Sequence, residues 1–114
     1  MNNNGIKPEL WGPGMWHNLH MIASTYPVKP TKQDKEQYFN FIVSLGNILP
    51  CGECRDNFKH EIIKLDFGMN SLSNQESFFK FVFNLHNSVN KRLKKPVITD
   101  YNYVKRRYYF YKSI

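Results

Sequence analysis

Long apolar runs are missing from this sequence. None approaches the roughly 20 residues that a membrane-spanning helix needs, so no membrane insertion is expected. The first ten residues, Met1 to Leu10, are polar and lack the apolar centre of a signal peptide. The expectation is a soluble chain without a secretory address. Cysteine is scarce, with two in 114 residues, which excludes a disulfide-stapled secreted domain. There is no glycine-rich phosphate loop, little alternation of the kind that marks strands, and no internal repeat. Acidic residues are few, nine against sixteen Lys and Arg, giving a formal charge of +7. The excess sits toward the C-terminus, at Lys91, Arg92, Lys94, Lys95, Lys105, Arg106, Arg107 and Lys112. A positive face of this kind draws nucleic acid, an anionic membrane surface or the phosphates of a cofactor.

What the chain does have is aromatic bulk, 16% Phe, Tyr and Trp within a 41% hydrophobic composition. Its length fits one domain, residues 1–114, with a core over about 10–96 and a short helix over about 99–111. So small a core leaves a modest stability margin, which a bound cofactor or second subunit would widen. The periodicity is helical throughout. Trp11-Gly12-Pro13-Gly14 reads as the turn that opens a helix, with proline in the first turn. Met15, Trp16, Leu19, Ile22, Ala23 and Tyr26 follow at three- and four-residue steps, with His20 on the same face. Pro27 and Pro30 close that helix. Thr31 and Asp34 resemble a capping box ahead of the stripe Tyr38, Ile42, Leu45 and Leu49. A third helix begins at the cysteines and carries Cys54, Phe58, Ile62 and Leu65. Residues 67–71 read as a loop. Ser73 to Glu76 reads as a full capping box before the longest helix, whose stripe is Phe78, Val82, Leu85, Val89 and Leu93, ended by Lys95-Pro96. The expected fold is all-α: an antiparallel four-helix bundle with a fifth short helix.

Cys51-Gly52-Glu53-Cys54 admits three readings. A helix N-terminus favours the thiolate, the species that attacks disulfides or donates electrons. Alternatively the pair is half of a zinc site, although structural zinc takes four ligands and there is no second Cys pair; the nearest candidates to complete it are His17 and His20, or His60. Or both are inert core residues. A thioredoxin-type site needs strand–turn–helix context, whereas the stripe before Cys51 is helical. The pair is therefore a motif between helices, and bundles hold cofactors between their helices. His20 and His86, each on an apolar face, would by default be satisfied core residues.

Three blocks, taken together, resemble the Erv/ALR flavin-linked sulfhydryl oxidases over about Leu10 to Pro96. They are Trp11 to His20 with Tyr26-Pro27, Leu49 to Cys54, and His86-Asn87-Ser88-Val89-Asn90 through Lys95-Pro96. The opening Trp-Gly-Pro and the minimal length look most like members encoded by large DNA viruses, for which host cytoplasm or virion is the implied location. The resemblance implies FAD held non-covalently at one end of the bundle, in a homodimer. It implies that Cys51 exchanges with substrate thiols and Cys54 passes electrons to the flavin. Gly12, Trp16, His20 and Tyr26 would pack on the cofactor, and His86, Asn87, Val89 and Asn90 would stack on it or hydrogen-bond to it. Lys91, Arg92 and Lys95 would meet its ribose and diphosphate. No metal is implied. Longer family members carry a shuttle cysteine pair that this chain lacks. The expected substrate is therefore a thiol-bearing protein, a separate dithiol relay, with dioxygen as electron acceptor and hydrogen peroxide as product. The Lys94 position is often glycine in cellular members. The competing reading is a basic helical module that binds nucleic acid and takes zinc on its cysteines; the sulfhydryl oxidase expectation involves neither nucleic acid nor membrane.

Overall fold

The computed structural model describes residues 5–110 and Lys112; Tyr111, placed in the expected last helix, lies outside these, as do residues 1–4. The described residues form five α-helices: α1 (Pro8–Ser24), α2 (Lys32–Ile48), α3 (Gly52–Lys64), α4 (Gln75–Arg92) and α5 (Tyr101–Tyr109), with one 3-10 turn, Met69–Leu72, inside the expected loop. α1 packs on α4 and α5, α2 on α3, and α3 on α4. The result is a four-helix bundle with α5 laid against it. Its core runs from Leu19 and Ala23 through Ile42 and Leu45, Phe58, Phe78, Phe79 and Leu85 to Val104. No helix among the described residues is long and apolar enough to cross a membrane.

α1 starts earlier than the Trp11–Gly14 turn predicts. Pro8 takes the first helical position, where a missing N–H is harmless because that donor has no helical partner anyway. The Trp11 indole Nε1 donates to the Ile6 carbonyl at 2.7 Å and pins the chain just upstream. Pro13 therefore lies inside the helix and removes the bond that would have reached Glu9. Trp16, His17 and His20 follow it on the same continuous element.

The helix ends are chemically specified. Thr31 and Asp34 form the expected reciprocal capping box at α2. At α4 the cap is Asn74, whose side chain accepts from the Ser77 N–H at 2.8 Å; the capping box expected at Ser73 does not form. Ser73 Oγ instead donates to the Asn70 carbonyl at 2.8 Å, because the 3-10 turn brings that carbonyl within reach. α4 stops at Arg92, three residues short of Lys95. Lys94 adopts φ 58°, its N–H reaches Lys91 O and the Lys95 N–H reaches Asn90 O at 2.8 Å. That paired pattern closes a helix with a left-handed residue. Gly is the residue most at ease in that conformation, so Lys94 holds the left-handed backbone without that advantage.

Candidate functional site

Cys51 is the N-cap of α3, with extended backbone, and its Sγ accepts from the Cys54 N–H at 3.2 Å. The two cysteines form a disulfide across a Cα–Cα distance of 5.1 Å. Leu49 and Pro50 lead into it, and the Arg55 guanidinium donates to the Leu49 carbonyl at 2.6 Å, fixing the turn between α2 and α3. The chain before α1 crosses this turn. The Ile6 N–H donates to Pro50 O at 2.6 Å, and Gly5 passes so close that a Cβ there would sit 3.2 Å from the Cys51 Cα.

Behind the disulfide lies a cavity of about 660 Å³, within the usual range for small-molecule sites of about 300–1,000 Å³. Cys54 lines it and Cys51 does not. One wall is aromatic: Trp16 stacks on His86 with ring centres 4.3 Å apart and planes 7° from parallel. His20 and His86 share a hydrogen bond of 3.0 Å between Nε2 and Nδ1. The Tyr108 ring stacks on His20 at 5.1 Å, and its hydroxyl bonds His17 Nδ1 at 3.0 Å. Lys95 and Arg107 supply positive charge, and Arg92, also on the wall, is ion-paired with Glu61 at 2.6 Å.

Burial, reinforced by the neighbouring His86, His17 and Arg107, lowers the His20 pKa to about 3. Burial and the nearby Lys95 lower that of His86 to about 4. Both rings are neutral at pH 7, so each can accept as well as donate. His20 Nδ1 is buried without a hydrogen-bond partner among the described residues. An orphaned buried nitrogen on a cavity wall is unfavourable unless something else satisfies it.

Of the residues singled out from the sequence, Gly12, Trp16, His20, His86, Val89, Asn90, Arg92 and Lys95 line the cavity. Tyr26, Asn87 and Lys91 are elsewhere. Tyr26 is fully buried in the core, its hydroxyl donating to Leu72 O at 2.7 Å. The Asn87 side chain clasps Ile98, donating to its carbonyl and accepting from its N–H. Lys91 points to solvent. Val89 and Leu93, expected to extend the core stripe of α4, face the cavity instead, and Leu93 remains 46% exposed. Sequence reasoning passed over Asn57, Ile98, Tyr103 and Tyr108, which also line it, while Arg107, on the wall as well, figured there only as part of the C-terminal basic excess. A signal for α5 was present: Tyr101, Val104 and Tyr108 recur at three- and four-residue steps and form its inward face. Among the described residues no three His, Cys, Asp or Glu side chains converge as a metal centre would require.

The fold and site define a class: a helical-bundle thiol–disulfide protein whose reactive pair backs onto a large, aromatic, cationic ligand cavity. The chain belongs to the Erv1 / Alr family, whose sequence profile matches residues 13–109. The protein R368 of Acanthamoeba polyphaga mimivirus, provisionally named a FAD-linked sulfhydryl oxidase, is 36% identical over 82% of this chain and 66% of its own length. The FAD-linked sulfhydryl oxidase of African swine fever virus is 35% identical over 78% of this chain and 72% of its own. The chain spans 61% of a similar protein of Invertebrate iridescent virus 3 and 47% of ERV1 from Arabidopsis thaliana, so several curated relatives are substantially longer. The crystal structure of the FAD binding domain of Erv1 from Saccharomyces cerevisiae superposes with a TM-score of 0.81 at 30% identity, covering 92% of this chain and 96% of that one.

Proposed function

We propose that this protein is an FAD-linked sulfhydryl oxidase that makes disulfide bonds in other proteins. The observation that carries this reading is the division of the disulfide: Cys54 lines the cavity while Cys51 stays outside it. A substrate thiolate attacks Cys51, breaking the Cys51–Cys54 bond, forming a mixed disulfide and releasing the Cys54 thiolate. A second substrate thiol then attacks the substrate sulfur of the mixed disulfide, releasing the Cys51 thiolate and leaving the substrate oxidised. The α3 N-terminus favours the thiolate form of both leaving sulfurs. Two electrons now rest on the cysteine pair, with Cys54 placed to hand them into the cavity.

The lining suits FAD. Flat faces at Trp16, His86 and Tyr108 match an isoalloxazine or adenine ring, the orphaned His20 Nδ1 matches a polar ring edge, and Lys95 and Arg107 match a diphosphate. Bound FAD supplies two-electron acceptor chemistry that side chains lack, with dioxygen as final oxidant and hydrogen peroxide as product. The names of the relatives support the same cofactor. With only one cysteine pair in the chain, the electrons come directly from the thiols of a separate protein, which we read as a dithiol relay. One contiguous core supports a single domain. The proposal extends to a homodimer and, since several relatives are viral, to host cytoplasm or virion as its place of work.

The decisive measurement is spectroscopic. Purified protein is expected to be yellow, with stoichiometric flavin absorption, and to form peroxide when given dithiothreitol. Colourless protein that neither takes up added FAD nor oxidises thiols would sink the proposal.

A further inference from the structure

Glu61, on α3, is a carboxylate only 1% exposed, and it lies outside the machinery described so far. Both of its oxygens are occupied. Oε2 accepts from Arg92 Nε at 3.0 Å and Nη2 at 2.6 Å, and Oε1 accepts from the Ser88 hydroxyl. Lys64, 62% exposed and absent from the cavity wall, adds a looser contact at 3.7 Å. Burial pushes the Glu61 carboxyl upward, but the hydrogen bonds from Ser88 and Arg92 outweigh it and hold the group below its usual range. It is therefore ionised at neutral pH. The last Arg92 nitrogen, Nη1, donates to Asn57 Oδ1 at 3.3 Å, and Arg92 and Asn57 both line the cavity. A buried carboxylate held by two nitrogens of one guanidinium cancels most of that guanidinium's field.

We infer that Glu61 is a positioning residue for the cofactor cavity: it neutralises Arg92 and fixes it as a brace between α3 and α4, leaving Lys95 and Arg107 as the cations that meet an anionic ligand. Arg92 then acts as a scaffold that orients the Asn57 amide. It is not a phosphate ligand, contrary to what its place in the basic cluster implies. This inference rests on the FAD reading above. It also assigns a reason for the buried charge: the same pair ties the helix that carries Cys54 to the helix that carries His86 and Asn90. Glu61 is buried while the Arg92 side chain is 39% exposed, so the ion pair by itself is weak evidence of stabilisation and its geometric role is what the test must read.

The test is the FAD dissociation constant as a function of salt, measured by flavin fluorescence for the full chain. Lys95→Gln removes a free cation, so affinity should fall and its salt dependence become shallower. The double variant Glu61→Gln/Arg92→Gln replaces a neutral pair by a neutral pair and should keep the wild-type salt dependence. Glu61→Gln alone unmasks the Arg92 charge, so binding at low salt should tighten by roughly three- to fivefold, the equivalent of one screened charge, and its salt dependence should steepen. If the double variant is as shallow as Lys95→Gln, Arg92 meets the ligand directly and the inference is overturned. An unchanged salt dependence in folded Glu61→Gln overturns it equally. Should Glu61→Gln not fold, the double variant decides alone. Wild-type protein with no affinity for FAD would defeat the functional reading, not the brace. The brace is then judged by thermal unfolding: Arg92→Gln, which strands the buried carboxylate, must lose more stability than the double variant, and equal losses refute it.

Discussion

Cys51 and Cys54 stand three residues apart in very different surroundings, one capping a helix at the surface of the turn, the other on the cavity wall. Neither has a substitute elsewhere in the chain. Cys51→Ser and Cys54→Ser should each abolish thiol-dependent peroxide formation while flavin absorbance is retained. Cys54→Ser, which leaves Cys51 as a lone thiol, should trap a mixed disulfide visible on non-reducing gels when given a substrate already in its disulfide form, the Cys51 thiolate displacing one of that disulfide's sulfurs. Turnover surviving in either variant would remove the relay. The two histidines make a second prediction at this scale. Their pKa values drop from 6.5 to about 3 and about 4, so below pH 6.5 the unfolded chain takes up protons that the folded chain refuses. Stability is therefore complete above pH 6.5 and is lost as pH falls toward 4, by an amount on the order of 3 kcal/mol for each ring. Thermal unfolding of flavin-free protein between pH 7 and 4 measures this. His20→Gln should flatten the acid slope, and an unaltered slope would show that His20 does not carry it.

Helix ends separate what is local from what is not. Asn74→Ala should cost about 1 kcal/mol in urea unfolding, with Ser73→Ala clearly cheaper; the reverse ranking would mean that the capping box at Ser73 forms in solution. The Thr31 box was legible because both of its partners lie within four residues and nothing else competes for them. Ser73 was misread because a 3-10 turn, invisible to a hydrophobic pattern, offers its hydroxyl a nearer acceptor. The four bundle helices were readable from their apolar stripes. A stripe does not say what it faces, however, so the last turn of α4 looked like core when Val89 and Leu93 border a cavity. Tyr26 had the opposite fate. Motif position associated it with the cofactor, while its aromatic ring, edge-on to Tyr38 and Phe78, belongs to the interior. Glu61 and Arg92 are 31 residues apart, and no periodicity joins them.

For the whole molecule, the cavity is large relative to a 114-residue chain. Its walls come from α1, α3, α4 and α5, so a ligand filling it would bridge four helices at one end of the bundle. FAD should accordingly act as a structural component. At a hundredfold excess over its dissociation constant it should add about 2.7 kcal/mol, raising the melting temperature of flavin-free protein by on the order of 10 °C. Riboflavin, which lacks the diphosphate that Lys95 and Arg107 would hold, should give a much smaller rise. Equal shifts with the two ligands would mean that the cationic end of the cavity contributes nothing to retention.

The path of the chain before α1 carries a consequence for connectivity. Gly5 and Ile6 are drawn across Pro50 and Cys51 by a backbone hydrogen bond and an approach that would put a Cβ at Gly5 only 3.2 Å from the Cys51 Cα. A segment fused directly to Gly5 would consequently be tethered beside Cys51, the sulfur proposed to receive substrate. A tether turns a bimolecular encounter into an intramolecular one, with effective concentrations that reach the millimolar range for short flexible links. A dithiol peptide fused there through a short linker should be oxidised at a rate independent of protein concentration, whereas the same peptide fused behind Lys112 should gain no such advantage.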